Sequence, residues 1–419
     1  MKTGKYSIIV INDFGSVAGG DSKVAIDSAA GLSRRGYDVT YFCSVPPIEE
    51  RLRVAGVRVV CMDQPASAKN ASPAQGALQN LWNVGAQRKL SQLLAEADPR
   101  KTIVHVHGWT KALSPSCLWA IRQSNLATVI VGHDYFLACP NGGLFNYQTK
   151  QPCSLRPMSL SCLISNCDKH SYGMKLFRVV RQILQDQAIG RPKAPWHFAA
   201  VSDFCLDKMG MHLPAWITRS VIPNPIDLEK FPPSNPGESD RFVGVGRLSP
   251  EKGFVDFATA ARRTCVAATI IGRGESREEI AAANPALELP GWLSHTDMLN
   301  RLRKARALVF PSLWPETLGL SPIEAAAQGI PSVISSNVGA REWILDGVNG
   351  LHFEAGNVDA LSACLTRLKD DDLVNRLGEC AYERYWTDAP TLDKHIDRLE
   401  TLYDNLLGQI EAGNLQMVS

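Results

Sequence analysis

The sequence predicts an α/β protein made of two doubly wound parallel sheets in tandem, and three observations predict it. Short, nearly continuous apolar runs alternate with helix-length patterns, as strands buried between two helical layers must. The alternation is interrupted at Phe231-Pro232-Pro233-Ser234-Asn235-Pro236-Gly237-Glu238-Ser239, which has no apolar period and reads as a linker. The chain of 419 residues corresponds to roughly two to three domains of ordinary size, enough to bury a substantial core.

In order, the strand-like runs are 8–11, 39–42, 57–60, 103–106, 128–131, 198–201 and 220–222, with helix-length stretches such as 20–35 and 75–97 between them. After the linker the pattern restarts at 242–245, 267–271, 287–289, 307–310, 332–334 and 351–353. A last helical pattern, 391–410, has no strand after it, so its apolar face must find a partner elsewhere. The expected division is a first domain at 1–228, a linker at 229–240, a second domain at 241–386 and a terminal segment at 387–419. Ligands of open parallel sheets bind outside the carboxyl ends of the strands, so two such domains facing each other create a cleft lined by those loops.

With 44 Lys and Arg against 42 Asp and Glu, the formal balance is +2, which excludes a chain basic throughout, as a nucleic-acid coat is. At 21% charged and 45% hydrophobic residues, global disorder is excluded too. No stretch reaches the ~18 uncharged apolar residues that span a bilayer, and Met1-Lys2-Thr3-Gly4-Lys5 leads into a core strand rather than a signal peptide. An odd count of 11 cysteines without such a signal predicts reduced thiols and a cytoplasmic setting.

The carboxyl-end loops carry the chemistry. Gly-x-Gly-x-x-Gly is absent after the first strand, and no acidic residue ends the second at Phe42-Cys43-Ser44, so the nicotinamide fingerprint is missing. In its place a loop ending in Gly19-Gly20 opens a helix, where paired glycines let backbone N–H groups approach an anion; a bare turn reads the same way. The first strand of the second domain ends in Gly246-Arg247-Leu248-Ser249-Pro250-Glu251-Lys252-Gly253. Its guanidinium fork and ammonium suit a diphosphate, and equally a solvated basic loop. The next strand ends in a tight glycine turn, Gly272-Arg273-Gly274-Glu275.

The stretch from Phe310 to Pro331 is the most informative. Ser321, Pro322 and Glu324 spell a capping box, in which Glu324 bonds the backbone N–H of Ser321. Glu316 lies in the preceding loop, before Gly319, where no capping role is open to it. Two such carboxylates can meet one polyhydroxylated ligand, and the helix N-terminus offers N–H groups to a phosphate.

Glu316 and Glu324 in that frame, with 246–253 upstream and Val338-Gly339-Ala340-Arg341-Glu342-Trp343-Ile344-Leu345-Asp346-Gly347-Val348-Asn349-Gly350 downstream, resemble the retaining family 4 glycosyltransferases of GT-B fold. Val201-Ser202-Asp203-Phe204 and Ile222-Pro223-Asn224-Pro225-Ile226-Asp227 match as well, and the resemblance covers nearly the whole chain. It implies a terminal helix that crosses back to the first domain, a nucleoside-diphosphate sugar as donor, and no required cofactor. Arg247 and Lys252 would bind the donor diphosphate and stabilise charge developing on the leaving group. Glu324 would take the ribose hydroxyls, while Glu316 and the backbone amides of Thr317, Leu318, Gly319 and Leu320 would hold the transferred sugar. Gly19 and Gly20 would face the diphosphate from the other domain, and Gly272 and Gly274 would line the donor site. His133, at a strand end in Gly132-His133-Asp134-Tyr135, would touch the donor sugar near the reacting centre, with His107 a further candidate of the same kind. A structural imidazole is the alternative for both.

The reaction so implied is transfer of a hexosyl unit, with retention, to a hydroxyl of a saccharide or lipid-linked saccharide in polysaccharide or glycolipid synthesis. Front-face attack, with the departing phosphate oxygen receiving the acceptor proton, is the favoured scheme, and a double displacement stays open. A sugar-nucleotide epimerase and a starch- or sucrose-type synthase share the fold. A non-catalytic nucleotide-sugar binder is the rival from another class. No nucleic-acid partner is expected.

One region departs from the family pattern. Cys139, Cys153, Cys162 and Cys167 fall within 29 residues, inside an insertion at about 137–193. Zinc takes four thiolates, yet no Cys-x-x-Cys pair is present, so a structural zinc clip and buried free thiols both stay open. Residues 150–193 carry eight basic against two acidic side chains, which leaves 36 against 40 for the rest of the chain. Within this segment 175–184 reads as an amphipathic helix, with Leu176, Val180, Ile183 and Leu184 on one face and Lys175, Arg178, Arg181 and Gln182 largely opposite. Such a helix suits peripheral attachment to an anionic membrane at its inner face, or a core position with a solvated basic face.

Overall fold

Fifteen strands among residues 6–70 and 72–412, those that the computed structural model describes, form two parallel sheets and one small hairpin. The outermost parts of the expected first domain (1–5) and terminal segment (413–419) lie outside the described residues. In chain order come β1 (Ser7–Phe14), β2 (Asp38–Val45), β3 (Arg58–Cys61), β4 (Thr102–Val106) and β5 (Ala127–Gly132), then the antiparallel pair β6 (Phe145–Asn146) and β7 (Gln151–Pro152), then β8 (Trp196–Ala200) and β9 (Thr218–Val221). The second sheet holds β10 (Arg241–Val245), β11 (Ala267–Ile271), β12 (Glu288–Gly291), β13 (Ala307–Phe310), β14 (Ser332–Ser335) and β15 (Gly350–Phe353). The spatial orders are β3-β2-β1-β4-β5-β8-β9 and β12-β11-β10-β13-β14-β15. Each sheet therefore reverses direction beside its own first strand, and those switch points open the crevices in which such sheets take ligands.

The apolar runs are continuous because both faces of each strand are covered. In β1, Ile9 and Ile11 enter one core layer while Ile8 and Val10 enter the other. That second layer is completed by the last helix, Leu392–Glu411, whose Ile396, Leu399, Tyr403, Leu406 and Leu407 pack with Ile8, Val10, Ala25 and Ala29. Burying each such large side chain contributes about 1.5–3 kcal/mol. A Cβ on Gly31 would stand 3.0 Å from Ile396, so the helices meet closely there. The terminal helix thus crosses back onto the first sheet.

Two expected elements differ. The stretch 75–97 is two helices, Pro73–Leu81 and Val84–Ala95, because Trp82 is extended and the buried Asn83 caps the second helix, accepting from Ala86 N at 3.0 Å. Asparagine favours such caps over helix interiors because its side chain competes for backbone groups. The basic amphipathic segment belongs to the helix Tyr172–Ile189, but inverted: Lys175, Arg181 and Gln182 are buried while Leu176, Val180 and Ile183 are exposed. The buried polar face finds partners inside. Arg181 donates to Pro140 O at 3.1 Å and lies over the Phe136 ring, and Gln185 donates to Phe136 O at 2.9 Å. The helix does pack into the core, but its basic face is buried rather than solvated.

Candidate active site

The two sheets turn their carboxyl ends toward each other, and the loops there touch. After β10, the turn Pro250–Lys252 is pressed against the loop that follows β13: Leu313 N donates to Glu251 O at 2.9 Å, and a Cβ on Gly253 (φ +69°) would lie 2.0 Å from Pro311 O. Only glycine fits both that backbone angle and that approach. The packing delivers the Lys252 ammonium to the Glu316 carboxylate, with which it forms an ion pair, and Ser312 Oγ donates to the same oxygen at 2.7 Å. Lys252 also stands 5.1 Å over the Trp314 ring. Burial raises the Glu316 pKa, but the Lys252 charge and the hydrogen bonds outweigh it and hold the group below its ordinary value. Arg247 is 66% exposed and is tied by one nitrogen to the buried Glu251 carboxylate at 3.2 Å, leaving the rest of its fork open.

Glu324 is reached by a different route from the expected capping box. The helix Leu320–Ala326 begins at Gly319 (φ +90°), which stands as its N-cap, so Ser321 is already inside the helix. The Glu324 carboxylate instead meets His295 Nε2 at 2.9 Å. His295, the first residue of the helix His295–Leu302 just beyond β12, was not singled out in the sequence; its signal was a histidine at the carboxyl end of a strand. Gly272 and Gly274 serve loop packing: Cβ atoms there would lie 1.8 Å from Gly246 O and 2.1 Å from Leu248 O, and Gly272 N donates to Gly291 O.

The opposing wall comes from β1, β4 and β5. Gly19 precedes the helix Gly20–Arg34, and its N–H donates to Ser22 Oγ at 3.0 Å. A Cβ on Gly20 would stand 3.5 Å from Leu320 Cδ1, so the first-domain glycine loop and the Glu316–Leu320 loop face each other directly. His133 shares a 2.9 Å hydrogen bond with His107 Nδ1, the rings being 5.2 Å apart. Behind His107 stands His105, whose Nδ1 shares a 2.7 Å bond with Tyr403 on the back-crossing helix. Burial pushes His133 down to about 4 and His105 to about 3, and drives His107 well below its ordinary value, so all three are neutral at pH 7. Asp21 and Lys111, also not singled out, pair beside them at 3.4 Å, and burial raises Asp134 to about 6.

The walls are tied together. Thr317 Oγ1 donates to His133 O at 3.1 Å, Ser202 Oγ donates to Thr317 O, and Glu342 accepts from Phe204 N at 2.7 Å. The insertion after β5 straps the other side, through ion pairs Lys169–Glu275 and Lys150–Glu279, the latter at 3.3 Å. Of the two readings left open for the cysteines, the zinc clip is not formed: among the described residues no group of three or more His, Cys, Asp or Glu side chains is arranged to hold a metal ion. The Lys175 ammonium stands between Cys162 and Cys167, and all 11 cysteines are free.

Two facing Rossmann-like domains, closed by a helix that returns to the first, define the GT-B class of sugar transferases. The family model Glycosyltransferase Family 4 matches residues 18–230, half of the chain, and the model Glycosyl transferases group 1 matches 226–384. The chain belongs to the family 4 glycosyltransferases. It is similar to the UDP-Gal:alpha-D-GlcNAc-diphosphoundecaprenol alpha-1,3-galactosyltransferase of Escherichia coli (28% identity over 45% of this chain and 54% of that one). It is similar to a glycogen synthase of Mycobacterium tuberculosis (33%, over 40% and 44%), so these matches span about half the length of either relative. A GDP-mannose-dependent monoacylated alpha-(1-6)-phosphatidylinositol monomannoside mannosyltransferase of Corynebacterium glutamicum matches more extensively, at 23% over 72% of this chain and 91% of that one. Among solved structures, Anabaena Alr3699/HepE in complex with UDP-glucose superposes with a TM-score of 0.64 at 17% identity, covering 95% of this chain and all of that one. A sucrose-phosphate synthase from Thermosynechococcus elongatus gives 0.68 at 16%, over 96% and 99%. At these identities the likeness is one of fold.

Proposed function

We propose that the protein transfers a hexosyl unit, with retention of configuration, from a nucleoside-diphosphate sugar to a hydroxyl of a saccharide or lipid-linked saccharide. The second domain (241–386) takes the donor and the first (1–228) the acceptor. One observation carries this reading: the Lys252–Glu316 pair and the open Arg247 fork face a glycine loop and a neutral imidazole across a closed cleft. Arg247 and Lys252 neutralise the diphosphate as it departs, a stabilisation realised mostly as charge develops. Glu316, held ionised by Lys252, and the 317–320 backbone orient the sugar, and Glu324 accepts the ribose hydroxyls on the oxygen turned away from His295. His133, neutral and held by His107, offers a hydrogen bond to the sugar without adding charge beside an electron-poor anomeric carbon. The departing phosphate oxygen takes the acceptor proton in a front-face attack. The relatives named above, which act on nucleotide sugars or build glycans, support this class of substrate.

The test is product analysis. NMR of the glycoside formed from an α-linked donor should give the α anomer, and turnover should require an acceptor. A β product would overturn retention, and acceptor-independent conversion of the donor would favour an epimerase.

Peripheral attachment to a membrane is proposed with it, supported by the inverted helix. Leu176, Val180 and Ile183 are 44–48% exposed, and Leu160 and Ile164 of the adjoining helix Leu160–Ile164 are 76% and 70% exposed, in the segment with eight basic side chains against two acidic. An apolar ridge in basic surroundings suits an anionic bilayer surface that presents a lipid-linked acceptor. Among the described residues no helix is long and apolar enough to cross a membrane. Flotation with phosphatidylglycerol vesicles should retain the wild type and release Val180→Glu/Ile183→Glu; equal retention would remove the attachment.

A further inference from the structure

Lys175 poses an electrostatic problem that the donor site does not explain. It lies in the first turns of the helix Tyr172–Ile189 and is 0% exposed. Lysine is almost never fully buried without an anionic partner, because removing an ammonium from water costs several kcal/mol. Among the described residues no carboxylate pairs with it, and Asp168, next in sequence to Cys167, is engaged by Arg178 at 2.6 Å. Its Nζ instead stands 3.3 Å from Cys162 Sγ and 3.3 Å from Cys167 Sγ, two buried thiols. Cys167 is held on another side by Asn141 Nδ2 at 3.4 Å, so the sulfur is fixed relative to the amine. The nitrogen thus stands equidistant from two sulfurs, whose attraction outweighs burial and holds the ammonium above its ordinary range, with no carboxylate in competition.

We infer that Lys175 with Cys162 and Cys167 is an oxidative modification site, at which the lysine nitrogen becomes joined through one oxygen atom to a cysteine sulfur. The co-reactant is a peroxide. One hydrogen peroxide converts the thiol to a sulfenic acid and releases one water. Oxidation removes the thiol whose attraction favoured the ammonium, and Lys175, passing a proton to the water just released, then supplies its free amine. A second peroxide drives the sulfenic acid and the amine to S–O–N with release of two waters. Sulfur and nitrogen each lose two electrons, and the two peroxides accept the four. The product removes the buried charge altogether. It also bolts the helix Leu160–Ile164 and the turn after it to the long helix, at the root of the strap whose Lys169 pairs with Glu275 of the second domain. The site therefore lets the redox state set how firmly the insertion is held.

The experiment is peptide mass spectrometry of the purified full chain after hydrogen peroxide, with and without later dithiothreitol. The expected result is a species linking the Lys175 peptide to that of Cys162 or Cys167, heavier by one oxygen and lighter by two hydrogens. Trypsin should fail to cleave at Lys175 in that species, dithiothreitol should restore cleavage, and the melting midpoint should rise and fall with the link. A Cys162–Cys167 disulfide, sulfinic acids beside an unlinked Lys175, no oxidation of either cysteine, or stoichiometric zinc in the untreated protein would each overturn the inference. Cys162→Ser/Cys167→Ser should lose the linked species, and a linked species persisting in it would also overturn the assignment.

Discussion

On the second-domain wall of the cleft the ionisable groups stand in ion pairs: Lys252 with Glu316, Arg247 with Glu251. On the first-domain wall burial keeps a row of imidazoles neutral, from His105 through His107 to His133. The difference matches what the proposed function asks of each wall. A departing diphosphate needs fixed positive charge nearby, while a sugar ring with a developing positive centre is better served by an uncharged hydrogen-bonding partner. Charge pairs hold their geometry by attraction and fail abruptly when one member is lost; buried neutral groups fail when protonated.

The sharpest way to break this contrast is Lys252→Ala. It removes charge from the leaving group and strands the buried Glu316 carboxylate, so turnover should fall ~10²-fold or more and stability by ~3–5 kcal/mol, read by initial rates and denaturant midpoints. Arg247→Ala should lose comparable turnover at a smaller cost in stability, because the guanidinium is 66% exposed and the buried Glu251 oxygen it leaves keeps its hydrogen bond from Ser249 Oγ at 2.7 Å. Equal stability losses in the two would erase the distinction. Next, Glu324→Gln should weaken nucleotide binding by ~1.5–3 kcal/mol in calorimetry, the usual worth of a hydrogen bond to a charged group. Unchanged affinity would leave that carboxylate to His295 alone.

The neutral wall is probed by pH. The folded-state pKa of His133 is pushed from its ordinary 6.5 down to about 4, so between those values the unfolded chain binds more protons than the native one. Its stabilising share is complete above 6.5 and is lost as pH falls toward 4, at up to ~1.4 kcal/mol per pH unit. His133→Gln should flatten the pH dependence of the melting midpoint across that window, and an unchanged slope would show that another group carries it. The smallest effect belongs to His295→Ala, which removes a half-exposed partner of Glu324 and should change nucleotide affinity by less than ~1 kcal/mol. A larger loss would make His295 part of the ribose site proper.

Much of the second domain was legible because its signals are local. Apolar runs mark its parallel strands, and the charged residues of 246–253 and Glu316 stand in loops whose place at the carboxyl ends follows from the strand pattern alone. The first-domain insertion was less so, since its burial depends on partners distant in sequence. The helix Tyr172–Ile189 turns its polar face inward because carbonyls at 136–140 and the sulfurs of Cys162 and Cys167 wait there, which periodicity cannot register. The capping box failed for a related reason. A glycine with positive φ two residues earlier starts the helix, and His295, 29 positions upstream, claims the glutamate.

The central claim, that paired cations on the second domain grip the diphosphate of a sugar nucleotide, is tested most directly by thermal stability against a panel of UDP-, GDP- and ADP-sugars. One of them, at about a hundred times its dissociation constant, should stabilise the wild type by ~2.7 kcal/mol and leave Arg247→Ala and Lys252→Ala nearly unmoved at the same concentration. A panel in which no nucleotide sugar shifts the wild type, or in which both variants shift as far as the wild type, would contradict it.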